Sequence, residues 1–218
     1  TVATNLAGYC ASQGYATVLF DYDPQGSSTR WLKARTESYP AIHGVAAYEP
    51  PKAGITRSWQ LRIPQQTRYV IRDTPAGYTG IDLWDRVHES DVILIPVLPS
   101  VIDMHSTANF VRDLLLIGKA RAQGKQIAII ANRTRIRTRS MVKLERFLRN
   151  LDIPVIAQIR DTQHYVHAAE QGIGVCELAE SAAHRDSTPW ANILDWMQQH
   201  DRQNDTVVTA VSRVMPFA

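Results

Sequence analysis

A short apolar run that ends in two closely spaced aspartates constrains this chain most strongly. Residues 16–20 lead directly into Asp21 and Asp23, which are followed by a Pro-Gln-Gly-Ser turn. The preceding segment, residues 1–13, has a helical pattern and ends at Gly14, and glycine commonly terminates helices. A helix, a short buried strand and a polar turn in this order are the repeating unit of parallel α/β sheets.

The rest of the chain continues this alternation, which indicates a mostly parallel, doubly wound α/β sheet with helices on both faces. Strands are predicted at 16–20, 69–72, 92–96, 127–131 and 155–159. Helices are predicted at 1–13, 28–35, 103–123, 139–150, 162–171 and 189–199. Residues 38–66 are rich in proline, show no sustained period and are expected to be irregular. The residues that follow the strands should meet at one edge of the sheet; they are Asp21, Asp73, Pro96, Asn132 and Arg160.

Length and composition indicate one globular domain. The chain has 218 residues, of which 44% are hydrophobic and 21% charged, and we expect a domain at 1–198 followed by a tail at 199–218. No apolar run approaches the roughly 20 residues that a membrane-spanning helix needs. Cys10 and Cys176 form no metal-binding pattern and are expected to be reduced thiols. His164 and His167 lack a third ligand at suitable spacing, so we assign them to a helix surface.

A second motif follows the strand at 69–72. Residues 69–77 read Tyr-Val-Ile-Arg-Asp-Thr-Pro-Ala-Gly, and residues 95–100 read Ile-Pro-Val-Leu-Pro-Ser. A D-P-x-G turn or a D-T-P turn is common in isolation. Their order, together with the helix before the first motif, resembles the ParA/MinD family of P-loop ATPases, whose switches are D-x-D-P-Q-G and D-T-P-[AP]-G. The resemblance covers most of 1–178 and implies the SIMIBI type of P-loop NTPase fold.

The resemblance also implies a site for ATP and Mg²⁺. Asp23 matches the aspartate that orients the attacking water, Asp21 the carboxylate that supports the magnesium shell, and Asp73 the carboxylate that holds Mg²⁺ through a water. Asn132 matches the amide that reads the adenine edge, a task that suits a group with both a donor and an acceptor. The remaining nucleotide-binding positions carried over are Thr1, Ile159 and Arg160. The switch positions carried over are Gln25, Gly26, Thr74, Pro75, Ala76 and Gly77.

One part of the family pattern is not in the chain. In the family a glycine-rich loop, K-G-G-x-G-K-[ST]-T, runs into the first helix, and Thr1 aligns with its last threonine. The resemblance implies that the chain as written begins just after this loop, without the loop and the strand before it. Backbone N–H groups of such a loop bind the phosphates. We therefore expect the written chain to bind ATP poorly and not to fold independently.

Two segments suggest a surface to which the protein attaches. The net charge is +3, and the stretch 133–149 carries a local excess of cations opposed only by Glu145. This excess predicts DNA binding. The alternative is that the cations only form the solvent-exposed face of a helix. These cations are Arg133, Arg135, Arg137, Arg139, Lys143, Arg146 and Arg149. The alternative is a C-terminal helix for a membrane or for docking, but its only basic residue is Arg213, whereas membrane helices normally carry several cations. Its apolar residues are Val207, Val208, Val211, Val214 and Met215, with Phe217 beyond.

The resemblance thus implies a cytoplasmic, nucleoid-associated ATPase that partitions plasmids or chromosomes or positions other cargo. Such an enzyme forms a homodimer on ATP, binds DNA non-specifically and is stimulated by an activator, either ParB-like or a cargo adaptor. Alternatives are a MinD-like membrane-associated ATPase, a non-hydrolysing switch of the same fold, or a P-loop metabolic enzyme such as an amidoligase. The intact aspartates at 21, 23 and 73 argue against the non-hydrolysing switch. The D-P-Q-G-S turn is atypical of the metabolic enzymes.

Overall fold

The structure, a computed structural model, describes residues 1–77, 80–179, 184–201 and 208–213. Its helices are α1 Val2–Ser12, α2 Ser27–Ala34, α3 Arg57–Gln60, α4 Gly80–His88, α5 Val101–Leu116, α6 Arg139–Arg149, α7 Gln163–Glu170 and α8 His184–Asp201. Its strands are β1 Thr17–Asp21, β2 Ile42–Ala46, β3 Tyr69–Thr74, β4 Val92–Val97, β5 Gln126–Thr134, β6 Val155–Arg160 and β7 Val208–Arg213. No helix in these ranges is both long enough and apolar enough to cross a membrane.

The strands form one sheet in the order β2-β1-β3-β7-β4-β5-β6, with parallel pairing between neighbours. All residues of β1, β3 and β4 are buried, as expected for central strands covered on both faces. The predicted α/β class is therefore confirmed.

The C-terminal strand β7 lies in the middle of the sheet, where we expected an absent strand. It pairs with all of β3, and its residues 210–212 also pair with β4. The helix suggested by the valine spacing is therefore wrong for 208–213, and part of the expected tail belongs to the sheet. Valine and threonine favour strands, and the edges of β3 and β4 offer hydrogen-bond partners that an isolated tail lacks. The other apolar tail residues, Val207, Val214, Met215 and Phe217, lie outside the described ranges.

Two layers of helices cover the sheet, because alternate residues of each strand point to opposite faces. On one face, α1, α7 and α8 pack against the sheet through a core that includes Leu6, Leu19, Ile71, Tyr165 and Trp190. On the opposite face, α4, α5 and α6 pack over β4 and β5 through a core that includes Leu83, Ile95, Leu114, Ile129 and Leu144. A smaller cluster on β1–β3 is covered by the chain around Leu61 and Ile63.

Several predicted boundaries were wrong because tertiary contacts outweigh the local pattern. The stretch 38–66 contains the edge strand β2 and the short helix α3. Helix α4 was not predicted, since only Leu83 and Val87 of its nine residues are buried and the apolar pattern is faint. Helix α8 begins five residues before Pro189. The buried side chain of Asp186 explains this early start, because hydrogen bonds to other elements hold it in place.

Candidate functional site

Two of the predicted aspartates lie side by side at the carboxyl edge of the sheet. Asp21 on β1 is in register with Asp73 on β3, and the two residues are only 1% and 4% exposed. The N–H of Tyr22 donates to the carbonyl of Asp73 at 2.8 Å, which fixes the first residue after β1 against β3. The strand-end rule therefore placed this pair correctly.

Asp21 organises the turn that follows β1. Its Oδ1 accepts the N–H of Asp23 at 3.1 Å, and its Oδ2 accepts the N–H of Thr29 at 2.8 Å. Asp23 is half-buried, and its Oδ1 accepts the N–H of Gln25 at 2.9 Å. Because both oxygens of Asp21 hold backbone groups, this residue positions the turn, whereas the second oxygen of Asp23 has no such role.

One carboxylate oxygen of Asp73 accepts a hydrogen bond, and the other has no hydrogen-bond partner among the described residues. The hydroxyl of Ser28 donates to its Oδ2 at 2.5 Å, while its Oδ1 is buried without a partner among the described residues. Burial raises the pKa of Asp73 to about 6; the Ser28 hydroxyl opposes this rise, and the nearby carboxylates of Asp21 and Asp23 reinforce it. The nitrogen of Thr1 also lies near Asp73.

This carboxylate environment fits a hydrated divalent cation. A buried oxygen without a hydrogen-bond donor is costly, and a metal-bound water would supply the missing donor. Within the described ranges, no group of three or more His, Cys, Asp or Glu side chains could hold a metal ion by itself. A cation next to Asp73 would therefore need most of its ligands from water and from a bound phosphate. Magnesium, which keeps several waters and binds through one or two carboxylates, matches this requirement.

The predicted switch residues flank the carboxylates. Gly26 adopts a φ of +63°, and a Cβ at this position would come within 2.8 Å of the Tyr48 hydroxyl. Gly77 has a φ of +102°, a conformation that side chains with a Cβ rarely adopt. Thr74 is buried at the end of β3, and Pro75 and Ala76 are half-buried beyond it.

A cavity of about 540 Å³ is lined by all four residues assigned to nucleotide binding. Thr1, at the start of α1, forms one wall, and Asn132, Ile159 and Arg160 form another. The Oδ1 of Asn132 is buried and has no partner within the described ranges. A buried amide oxygen next to a cavity is suited to accept a hydrogen bond from a ligand amino group.

Sequence reasoning missed the residue that holds this wall in place. Asp186 of α8 is 1% exposed; its Oδ1 accepts the Nε of Arg160 at 2.9 Å, and its Oδ2 lies 2.7 Å from the Nδ1 of His164. His164 is thus held by a carboxylate rather than being a plain helix-surface residue. No local sequence motif identifies Asp186 as a site residue, because its hydrogen-bond partners lie more than twenty residues away along the chain. Ser28 lies in the turn that the sequence identified, but its hydrogen bond to Asp73 is visible only in the tertiary structure.

A buried ion pair joins the helix after the first switch to the cavity side of the fold. Arg35 follows α2, and its guanidinium binds both carboxylate oxygens of Glu177, at 2.9 and 2.5 Å. Both side chains are about 95% buried, with 5% and 4% exposure. Gly172 packs so closely against the end of α2 that a Cβ at this position would lie 2.3 Å from the backbone nitrogen of Arg35. These contacts therefore link the 172–177 segment to α2, the helix that follows the predicted first switch.

The predicted DNA-binding cations do not form one uniform surface. Arg133 and Arg135 both pair with Asp161, at 3.2 and 2.7 Å. Burial raises the pKa of the Asp161 carboxyl, but the two guanidinium groups outweigh burial and lower the pKa below its ordinary value. In the α6 surface, which we define as Arg139, Lys143 and Arg146, the side chains are exposed and none pairs with an acid of the described chain. Arg149 donates to the carbonyl of Glu145, and Arg137 is exposed in the preceding loop.

Solved structures share this fold. A plasmid-partition protein from Borrelia burgdorferi B31 bound to AMPPNP aligns with a TM-score of 0.64 at 13% identity, over 91% of this chain and 92% of that one. The MinD cell division protein of Aquifex aeolicus aligns with a TM-score of 0.61 at 13% identity, over 89% and 90% of the two chains. At such low identities these likenesses establish the fold.

Sequence relatives identify the family. The carboxysome distribution maintenance protein A of Halothiobacillus neapolitanus is 25% identical over 181 residues, which cover 82% of this chain and 81% of that protein. Residues 1–175 match the family described as the CobQ/CobB/MinD/ParA nucleotide binding domain. With most of its length matched, and with Asp21 and Asp73 paired at the carboxyl edge of the sheet, the chain belongs to this nucleotide-binding family.

Proposed function

We propose that the protein is a ParA-like ATPase that positions cellular cargo. The observation that carries this proposal is the buried pair of Asp21 and Asp73 in register at the carboxyl edge of the sheet, with Asp23 hydrogen-bonded to Asp21 in the turn that follows. The carboxysome-distribution relative supports a role in positioning. The AMPPNP-bound structural neighbour supports ATP as the nucleotide.

The proposed site divides the work among the chain's own residues. Asn132, Ile159 and Arg160 would bind the nucleoside in the cavity, and the N-terminus of α1 at Thr1 would face the phosphates, since helix N-termini attract anions. Bound Mg²⁺ would offset phosphate charge, and Asp73 would hold it through a water. Asp23 would orient the attacking water, while Asp21 keeps the turn in shape. Positioning and charge compensation supply most of the catalysis in phosphoryl transfer.

Changing Asp23 to Asn tests the assignment of the catalytic residue. In a protein that includes the phosphate-binding loop which the resemblance implies, the variant should bind ATP with nearly unchanged affinity. It should lose about 100-fold or more in turnover, because water orientation matters only in the transition state. Fluorescent ATP-analogue binding and magnesium-dependent phosphate release measure the two effects separately. Asp152→Asn, which alters an exposed carboxylate, is the matched control. If Asp23→Asn keeps its magnesium-dependent turnover, Asp23 is not part of the mechanism. If the unaltered protein binds ATP but shows no turnover, the non-hydrolysing switch is favoured.

The cycle that we propose couples ATP to dimer formation and DNA binding. The α6 surface supports the DNA step, because unpaired cations bind phosphates without sequence preference. An activator or cargo adaptor would stimulate hydrolysis and release the dimer from the nucleoid. The membrane-associated alternative has lost its main support, since 208–213 form a strand inside the sheet.

Neutralising the α6 surface should weaken DNA binding. The triple change Arg139→Gln, Lys143→Gln and Arg146→Gln is expected to make the salt dependence of log affinity shallower by up to about 3, roughly one unit per lost phosphate contact. Fluorescence anisotropy with duplex DNA of arbitrary sequence, at several salt concentrations with ATP, measures the slope. The control removes the same charge elsewhere, with Arg112→Gln, Arg121→Gln and Lys125→Gln. Equal weakening by both triples would show that only net charge matters.

A further inference from the structure

The segment after β2 carries an exposed surface that the proposed ATPase cycle does not use. We define the α3 surface as Lys52, Ile55, Trp59 and Arg62. Trp59 is 62% exposed and Ile55 39% exposed, and the Arg62 guanidinium lies 5.1 Å from the centre of the Trp59 ring. No aspartate or glutamate occurs between residues 50 and 72. The surface therefore combines two exposed apolar side chains with two cations, and the nearest acid along the chain before it is Glu49.

The helix that carries Trp59 is fastened to the carboxyl end of β2. The Arg57 guanidinium donates to the carbonyls of Ala47 and Glu49, at 2.5 and 3.0 Å. The Gln60 amide donates to the carbonyl of Ala46 at 3.2 Å. Three hydrogen bonds to consecutive parts of one short loop leave α3 little freedom to move independently of it.

That loop contacts the first switch through Tyr48. The N–H of Tyr48 donates to the carbonyl of Asp21 at 3.0 Å, and its hydroxyl donates to Glu49 Oε1 at 3.2 Å. The tyrosine ring lies against Gly26, where any Cβ would approach its hydroxyl within 2.8 Å. A displacement of α3 would therefore reach the turn that carries Asp21 and Asp23.

We propose that the α3 surface docks an acidic segment of a partner protein that carries an apolar side chain, and that docking acts on the first switch through Tyr48. The regulatory part of this inference rests on the proposed ATPase function. Tryptophan and arginine are the residues most often found where protein partners bind tightly, and the two cations match an acidic partner. DNA fits less well, because Arg62 occupies one face of the only exposed ring on this surface. A membrane fits less well, because two exposed apolar side chains bury little area in lipid.

A synthetic acidic peptide tests the docking step without nucleotide. The probe is a labelled peptide of Glu and Asp residues with two phenylalanines, titrated at low salt and followed by fluorescence anisotropy. Trp59→Ala and the pair Lys52→Glu with Arg62→Glu should each weaken binding by about tenfold or more. The controls Trp84→Ala and Arg112→Glu with Lys125→Glu, on the other half of the sheet, should leave it unchanged. No binding, or equal loss in the controls, overturns the proposal.

Competition and turnover complete the test. A lysine version of the peptide should not bind. Duplex DNA and anionic phosphatidylserine vesicles should bind Trp59→Ala, which keeps the net charge, as well as they bind the unaltered protein; a loss of affinity in this variant would assign the surface to a nucleic acid or a membrane instead. The peptide should change ATP turnover in the unaltered protein, and Tyr48→Ala should keep peptide binding but lose this change. Unaffected turnover overturns the coupling through Tyr48. Site-dependent peptide binding in a protein without any ATP turnover would keep the docking surface and reject the proposed function.

Discussion

Proline at position 210 is expected to unfold the protein. Ala210 lies in β7 opposite Ile71 of β3 and Val92 of β4, so the strand has a hydrogen-bonded neighbour on each side. Proline has no N–H and is tolerated in sheets mainly at edges, so Ala210→Pro would break the ladder in the middle of the sheet. Losing the ladder on both sides of a central strand should remove a large part of the total stability of an ordinary domain. Circular dichroism and urea unfolding should show little cooperative transition.

A second proline provides the matched control. The Ile55 N–H donates to the Lys52 carbonyl at 3.0 Å across a turn in which Gly54 has a φ of +81°. This is the pattern of a type II turn, whose second position, here Ala53, favours proline. Ala53→Pro should therefore leave stability unchanged or raise it slightly. If Ala210→Pro unfolds in urea like the unaltered protein, β7 is not a central strand in solution.

Asp73→Asn is expected to abolish magnesium-dependent ATP turnover while making the protein more stable at neutral pH. The amide can still accept the Ser28 hydrogen bond, but it cannot offer a negative charge to a hydrated cation. We expect turnover to fall about 1,000-fold or more, since charge compensation is central to phosphoryl transfer. Phosphate release with and without Mg²⁺ measures this loss. Asp152→Asn should change neither turnover nor stability.

The stability effect has a definite pH dependence. The pKa of Asp73 is about 6 in the folded protein and 3.8 in the reference state. A raised folded-state pKa means that the contribution to stability is complete below about pH 4 and is lost as the pH rises through about 6. At pH 8, Asp73→Asn should gain stability on the order of a few kcal/mol, because the folded-state pKa of about 6 lies well above the ordinary value of 3.8. Urea unfolding at pH 4 and pH 8 should show the gain only at pH 8. A variant that is less stable at both values would show that the carboxylate has a structural role.

The aspartates at the carboxyl edge of the sheet were predictable because they obey a local rule. Asp21 is the last residue of β1 and Asp73 the last but one of β3, and parallel strands deliver such residues to one edge. Asn132 was expected to follow a strand at 127–131, but β5 runs through it to Thr134. Ser28, Asp186 and Tyr48 were not assigned to the site, since each acts through a partner far away along the chain. Their short-range surroundings look like those of any helix start or loop.

Local sequence was sufficient to establish the alternation of strands and helices, the α/β class and the aspartate-bearing turns. The spacing of apolar residues and the residue preferences of turns both depend on only a few neighbouring residues. The place of β7 was decided only by tertiary structure. Its valines satisfy a helical spacing as well as a strand, and the unpaired backbone edges of β3 and β4 settle the choice. The same holds for the cations of residues 133–149, which look like one uniform cluster in the sequence, because Asp161 pairs with Arg133 and Arg135. Pairing between distant groups, which no local pattern records, determines which charges remain available.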